Sequence, residues 1–410
     1  MCRLALAADV GPVYTNAMTE LLLISRCPPY PLYLGDRLIV WHLVRELAAR
    51  GYQIDMVAMT QRPEDAKEQA AYADMFRSVH LFPEKPRSTA SYIQRLMLPQ
   101  KRCPHQAADA WSPEMWQSTS ELIQKHDYDV VQLFGGVHVY EFAHLLKGLP
   151  SVITPYESYS LLLKRQLAQQ WAPGIQVNQW AAAAYERFMY TSYGHTVVLA
   201  DPDREELLQL NPNLSISVIP NGIDLDAFQP AKTIRDDATL LFVGNYEYAP
   251  NLDAAFFLIN EVMPRVLTTI PDARLQLVGH APPPDLQAAA SESVDVIGSV
   301  PEVQPYLAQA TAFVCPLRIG AGIKNKVLEA LAMRVPLVAN PIAVDGIDVV
   351  HEESALVAEP DQLANTVIRL LEDKQLQARL AESGRMLIEA KYSWTHVADQ
   401  YEALYKRGKR

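Results

Sequence analysis

One segment constrains this chain more than any other. An apolar run from Thr311 to Cys315 is followed by a glycine-bearing loop, a helical stretch from about Ile323 and a second apolar run from Val335 to Ala339. Strand, loop, helix, strand describes a parallel unit, since strands pointing the same way need a crossover between them. The loop delivers backbone N–H groups to a helix N-terminus, an arrangement that suits a phosphate. Gly320, Gly322, Ile323, Lys324, Asn325 and Lys326 lie along it, just after Arg318. Glu329 falls on the helix within reach of whatever the loop holds, and a carboxylate there can accept a hydrogen bond from each of two ribose hydroxyls. Lys324 is expected in the first helical turn, where the dipole disfavours a cation unless an anion binds. A solvated lysine at an exposed helix end is the other reading.

The same alternation runs through the whole sequence. Leu21 to Ile24 is apolar and ends in the turn Cys27-Pro28-Pro29-Tyr30-Pro31. Gly35-Asp36-Arg37 then opens a helix with Asp36 as N-cap, and Val40, Leu43, Val44, Leu47 and Ala48 make one apolar stripe ending at Gly51. Further strands are expected at Ile54 to Ala58, Val79 to Phe82, Val130 to Phe134, Val152 to Ile153 and Val197 to Ala200, with a second series from Ile216 onward. Strands alternating with helices imply an α/β fold with parallel sheets covered on both faces. Two series predict two Rossmann-like domains with a ligand cleft near the strands' carboxyl ends. We divide the chain into an extension (1–19), a first domain (20–201), a linker (202–220), a second domain (221–392) and a closing amphipathic helix (393–410).

Composition narrows the function. A net charge of −11 argues against a nucleic-acid partner, which calls for a basic stripe. Cys2, Cys27, Cys103 and Cys315 are scattered, without the spacing of a zinc site or a disulfide framework. No run of eighteen apolar residues is present to span a membrane. The histidines lack ligand spacing, and Asp224-Leu225-Asp226 follows a Pro-Asn-Gly turn that such aspartates stabilise, so no metal is expected. No Gly-x-Gly-x-x-Gly follows a strand, which argues against a dehydrogenase.

The segment from Pro316 to Met333 resembles the donor-nucleotide motif of retaining glycosyltransferases of family four, which have the GT-B fold. That family's usual pattern is Glu-x7-Glu followed by Ala-x-Ala. Glu329, Ala330 and Ala332 match its second half, while Ala321 stands where the first glutamate would be. The form Gly-x-Gly-Ile-Lys-x-Lys-Val-Leu-Glu-Ala resembles a branch associated with exopolysaccharide gene sets. Ile219 to Phe228, Leu241 to Asn251, Arg274 to Gly279, Val294 to Val300 and Ser393-Trp394 also resemble family segments.

The resemblance implies a nucleoside diphosphate sugar as donor and a glycan or lipid-linked glycan hydroxyl as acceptor, in polysaccharide biosynthesis, with no cofactor and no metal. It implies a GT-B protein whose closing helix crosses back to the acceptor-side first domain. The donor wall would comprise Gly244, Asn245, Arg318, Gly320, Gly322, Ile323, Lys324, Asn325, Lys326 and Glu329. Lys324 would stabilise the leaving diphosphate. Gly35, Asp36 and Arg37 would face the cleft, and Tyr156 occupies the place of the family's histidine near the reacting sugar. Beside it, Glu157 either meets the acceptor hydroxyl as a base or complements a helix dipole. Segment 85–102, with Lys85, Arg87, Arg95, Lys101 and Arg102 among apolar residues, suits either an anionic membrane surface or an exposed helix. A cytoplasmic protein, peripheral at the inner face of the membrane, is the expected setting. The alternatives are a GT-B sugar-nucleotide epimerase and a non-catalytic nucleotide-sugar-binding scaffold.

Overall fold

The computed structural model describes residues 18–32, 35–230, 238–320 and 323–408. Most of the expected extension, together with Ala321 and Gly322, lies outside the described residues. The first sheet holds β1 (Glu20–Ser25), β2 (Gln53–Thr60), β3 (Ser78–Pro83), β4 (Val130–Phe134), β5 (Ser151–Tyr156), β6 (His195–Val198) and β7 (Ile216–Val218). Their spatial order is β3-β2-β1-β4-β5-β6-β7, and every pairing is parallel. Around it lie helices α1 (Gly35–Ala49), α2 (Thr89–Met97), α3 (Pro99–Arg102), α4 (Pro113–Lys125), α5 (Tyr159–Gln169), α6 (Pro173–Met189) and α7 (Asp201–Leu210).

The second sheet, also parallel, runs β10-β9-β8-β11-β12-β13, with β8 (Thr239–Val243), β9 (Arg274–Val278), β10 (Val294–Gly298), β11 (Ala312–Cys315), β12 (Leu337–Ala339) and β13 (Leu356–Val357). Its helices are α8 (Ala249–Phe257), α9 (Met263–Thr269), α10 (Pro284–Ala288), α11 (Gln304–Gln309), α12 (Asn325–Ala332), α13 (Leu363–Glu372) and α14 (Lys374–Lys391). This is the GT-B architecture of two parallel α/β domains.

Successive strand residues point to opposite faces, so a continuous apolar run feeds two cores at once. Leu21 and Leu23 of β1 pack with Val40, Leu43, Val44 and Leu47 of α1. Leu22 and Ile24 pack instead with Met115, Phe142 and Tyr185. The helix stripe and the strand run therefore specify each other.

The expected linker at 202–220 is instead structured. Its polar start is the first turn of α7, with Pro202 near the helix N-terminus where no backbone donor is missed. Its end is β7, which adds to β6 through Thr196, Val197 and Val198. Ile216 thus closes the first sheet rather than opening the second series, because a short, half-buried edge strand carries little apolar signal. The chain crosses after β7. It returns through α15 (Trp394–Gly408), which packs on α1. Tyr405 Oη donates to Gln132 Oε1 of β4 at 2.9 Å, and His42 stacks on Trp394 with ring centres 4.9 Å apart. Gly222 lets this happen, since a Cβ there would come within 2.7 Å of the Trp394 ring.

Candidate active site between the two sheets

Each sheet reverses its strand order once, between β1 and β4 in the first and between β8 and β11 in the second. Ligand crevices open at such points, beyond the strands' carboxyl ends. At the first, Arg26 follows β1, and its side chain lies across Gly135, where a Cβ would be 2.6 Å from Arg26 Cβ. At the second, Gly244 follows β8. Gly279 approaches it so closely that a Cβ on Gly279 would sit 1.7 Å from the Gly244 carbonyl oxygen.

The donor loop leaves β11 at Pro316. Lys324 lies one residue ahead of α12 with extended backbone (φ −104°, ψ 98°), not in the first helical turn. Ile323 is buried just before it, and the chain turns helical only after that side chain has packed. The lysine folds back over the loop, and a Cβ on Gly320 would lie 3.4 Å from Lys324 Cε. Burial lowers the Lys324 ammonium's pKa, opposed by Asp345, Glu157 and Asp203. Burial and Asp203 push Glu157 up to about 7, against Lys324 and Arg26. Burial likewise raises Asp203 to about 6, although Ser158 N donates to its Oδ1 at 2.8 Å. Glu157 and Asp203 come from the first domain, Lys324 and Asp345 from the second, so the cleft brings carboxylates from both domains around one ammonium.

Further along, Lys326 Nζ donates to Asn251 Oδ1 at 2.6 Å and sits 4.5 Å from the centre of the Phe242 ring. Burial brings it down to about 8. Asn251 Nδ2 in turn donates to the Asn245 carbonyl at 2.8 Å, and Asn245 Oδ1 accepts from Glu247 N at 3.1 Å. Glu329 is pushed up to about 7 by burial, against the pull of Lys326. Its carboxylate makes no hydrogen bond among the described residues. Asn325 Oδ1 accepts from Asn221 Nδ2 at 2.8 Å, and a Cβ on Gly35 would lie 3.6 Å from Asn325 Nδ2. Gly35 and Asn325 thus meet across the cleft.

Several expected site residues lie elsewhere. Arg37 is wholly buried and bonds Asp65 through both terminal nitrogens, at 2.8 and 3.0 Å. A carboxylate 28 residues away claims its fork, so it does not face the cleft. Asp36 lies inside the first turn of α1 rather than ahead of it; its Oδ1 accepts from Arg37 N at 3.0 Å and its Oδ2 lies 3.6 Å from Arg26 Nε. Tyr156 takes a left-handed φ of 74°, and its ring turns inward to stack on Phe134. Arg318 is held by Asp253 and lies 4.8 Å from the centre of the Phe257 ring, so its fork already has a protein carboxylate. Asp224 spends one oxygen on the N–H groups of Asp226 and Ala227, at 3.1 and 3.2 Å.

The basic segment is also largely committed within the domain. Arg95 is buried 3.4 Å from Glu141 and stacks on Trp111, Arg87 bonds the carbonyls of Val137 and His138, and Arg102 bonds the Leu96 carbonyl. These arginines do not form a free face for lipid, because aromatic rings and carbonyls inside the domain take up their charge.

Sequence reasoning missed Arg26, Asp203, Asp345, Arg165 and Glu186. Arg26 had a signal, its place directly after a parallel strand; the others come together only through tertiary contact. On the first-domain side, a cavity of about 470 Å³ is lined by Arg26, Gly136, His138, Glu157, Tyr159 and Asn178, among others. Within it His138 Nδ1 lies 2.7 Å from Glu84 Oε1.

Residues 38–227 match the family model described as Glycosyltransferase Family 4, and residues 237–373 match that described as Glycosyl transferases group 1. An alpha-maltose-1-phosphate synthase of Mycolicibacterium smegmatis is 25% identical over 297 residues, 65% of this chain and 75% of that protein. A phosphatidyl-myo-inositol mannosyltransferase of Mycobacterium tuberculosis is 28% identical over 206 residues, 46% of this chain and 53% of the relative, so only about half of that relative is matched. In fold, the chain resembles sucrose-phosphate synthase from Thermosynechococcus elongatus (TM-score 0.73, 19% identity, 95% and 98% of the two chains covered). It also resembles Anabaena Alr3699/HepE in complex with UDP and glucose (TM-score 0.65, 13% identity, 94% and 99% covered). With one family model on each domain of a two-sheet parallel scaffold, the chain belongs to the family-four glycosyltransferases of GT-B fold and is a nucleotide-sugar glycosyltransferase of glycan biosynthesis.

Proposed function

We propose that this enzyme transfers a hexose with retention from a nucleoside diphosphate sugar to a hydroxyl of a glycan or lipid-linked glycan, in exopolysaccharide assembly and without a metal. The observation that carries the donor assignment is Glu329, a half-buried carboxylate that no protein donor meets among the described residues, midway along the helix that follows a glycine loop. Its two oxygens can each accept a hydrogen bond, which two ribose hydroxyls would supply. The diphosphate then lies against the loop and Lys324, with Gly244 and Asn245 on the opposite wall. The acceptor enters from the first-domain cavity, where Glu157 meets its hydroxyl. The leaving diphosphate helps to take the acceptor's proton, so electrostatic stabilisation supplies most of the rate. Lys326 holds the wall through Asn251 rather than meeting phosphate. The names of the matched relatives, a maltose-1-phosphate synthase and a phosphatidyl-inositol mannosyltransferase, support sugar transfer and leave the donor base and the linkage to experiment.

Glu329→Ala should weaken nucleoside diphosphate binding by about 1.5–3 kcal/mol, the range for a charge-assisted hydrogen bond. Calorimetry with UDP, GDP, ADP and dTDP measures this directly. Unchanged affinity in a variant that melts normally removes Glu329 from the donor site.

We place the protein in the cytoplasm, in peripheral contact with the inner face of the membrane. That contact would rest on exposed Ile93 and Met97 of α2, with Lys85 and Lys101, rather than on the arginines of 85–102. Ile93→Asn with Met97→Asn should lower binding to anionic vesicles several-fold, whereas Arg95→Gln should lower the melting temperature by leaving Glu141 buried without its cation. Vesicle sedimentation that ignores the double substitution and the salt concentration would sink the membrane contact.

A further inference from the structure

We propose that Arg165 is a positioning residue for the donor loop, supplied by the opposite domain. Its guanidinium gathers the Gly320 carbonyl and Asp345, so the diphosphate site is complete only when the domains close. The proposal rests on the donor-site reading above. Arg165 lies on α5 of the first domain. Its Nη1 donates to Gly320 O at 2.5 Å, and its Nη2 lies 2.8 Å from Asp345 Oδ2. Gly320 has a φ of 143°, a conformation open to glycine and costly for other residues. A glycine-built turn has little local restraint, and ordering it costs conformational entropy. One planar fork that reaches two partners supplies the missing restraint from outside. The carbonyl matters for the chemistry as well. An oxygen free to turn toward the diphosphate would repel it, and the bond to Arg165 turns that oxygen toward α5.

The start of the same helix also acts on the cleft through charge. Ser158 is the N-cap of α5, and the charge of its neighbour Glu157 helps to hold up the Lys324 pKa against burial. Positions 158 and 165 are two helical turns apart and share a face. Glu186 fixes the start of that helix, accepting from Ser158 Oγ at 3.0 Å, Tyr159 N at 2.7 Å, Ser160 N at 3.3 Å and Ser160 Oγ. So α5 moves with the first domain as a rigid piece, and its approach sets Glu157 and the donor loop in one step.

The test compares Arg165→Ala, Arg165→Lys and Glu329→Ala. The probe is whichever of UDP, GDP, ADP and dTDP the wild type binds most tightly, together with the glucose and mannose esters of that nucleotide. Arg165→Ala should cut the rate of diphosphate release from the ester about 100-fold, the scale of a misplaced reacting group, while the affinity for the free nucleotide falls by a much smaller factor. Wild type should become more compact in X-ray scattering when nucleotide is added, and Arg165→Ala should not. Arg165→Lys should recover part of both, because an ammonium can hold the carbonyl but not both partners; it also serves if the alanine variant does not fold. Wild-type turnover and compaction in Arg165→Ala, alongside weakened nucleotide binding in Glu329→Ala, overturn this inference and leave the donor site standing. Equal losses of affinity and rate in Arg165→Ala overturn it too, since a residue acting through closure spares the nucleotide's own contacts. Unchanged nucleotide affinity in Glu329→Ala instead removes the donor-site reading on which it rests.

Discussion

Lys324→Ala is expected to lower the maximal rate about 100-fold and to raise the donor's Michaelis constant only a few-fold, the loss typical of one electrostatic donor at a developing charge. A departing diphosphate gains negative charge, so a cation beside it interacts more strongly with the transition state than with the bound donor. The backbone places Lys324 ahead of the helix with its side chain folded over Gly320, so its ammonium sits above the loop rather than along α12. Burial destabilises that ammonium and the facing carboxylates only partly compensate, leaving an environment in which an incoming anion is favoured. Lys326→Ala should cost less, since that ammonium is already engaged by Asn251 and the Phe242 ring. Glutamate restored at Ala321 should not rescue the Lys324 variant, because a carboxylate cannot stabilise phosphate charge. Full turnover at saturating donor in Lys324→Ala would assign the lysine to structure alone.

Glu157→Gln should remove about 100-fold of the rate at pH 8 and far less at pH 5.5, taking the low end of the range for a positioned proton acceptor. The wild-type maximal rate should rise through about pH 7, where the carboxyl ionises. A pH–rate profile of both proteins reads this out, and a variant that keeps the rise places the titration elsewhere. Stability carries the opposite sign. The folded pKa of Glu157 lies above the usual 4.5, so below pH 4.5 the group is protonated in both states and costs nothing. Between 4.5 and 7 the unfolded chain releases the proton first, and folding becomes less favourable as pH rises. Glu157→Gln should therefore melt higher than wild type at pH 8 and equally at pH 4.

The fold was legible in the sequence because parallel strands covered on both faces are unbroken apolar runs, as in Leu21 to Ile24 and Val130 to Phe134. The edge strand β7 was not, because Ile216 and Val218 are only half-buried and the residues before it look like a polar connector. In the site, the loop and Glu329 could be placed from local order alone: strand, glycine, helix, carboxylate. Arg37 could not, since an arginine at a helix start looks the same whether it faces a cleft or a buried Asp65. Arg165 has the reverse history. On α5 it resembles any solvated helix arginine, and only the apposition of the second domain gives it partners. Local pattern thus reports the parts each domain builds alone, and misses those that exist only where the domains touch.

The return of α15 to the first domain bears on the order in which the protein is made. Tyr401 and Tyr405 fill the first domain's core against Gln132 and Thr154, yet they follow the whole second domain along the chain. On the ribosome, the earlier-synthesised half must wait with an uncovered apolar face while the later half, contiguous in sequence, can fold as a unit. The nascent first domain is therefore the stretch of this protein most exposed to misassociation, and the interval before residues 394–408 emerge is when a chaperone would matter most.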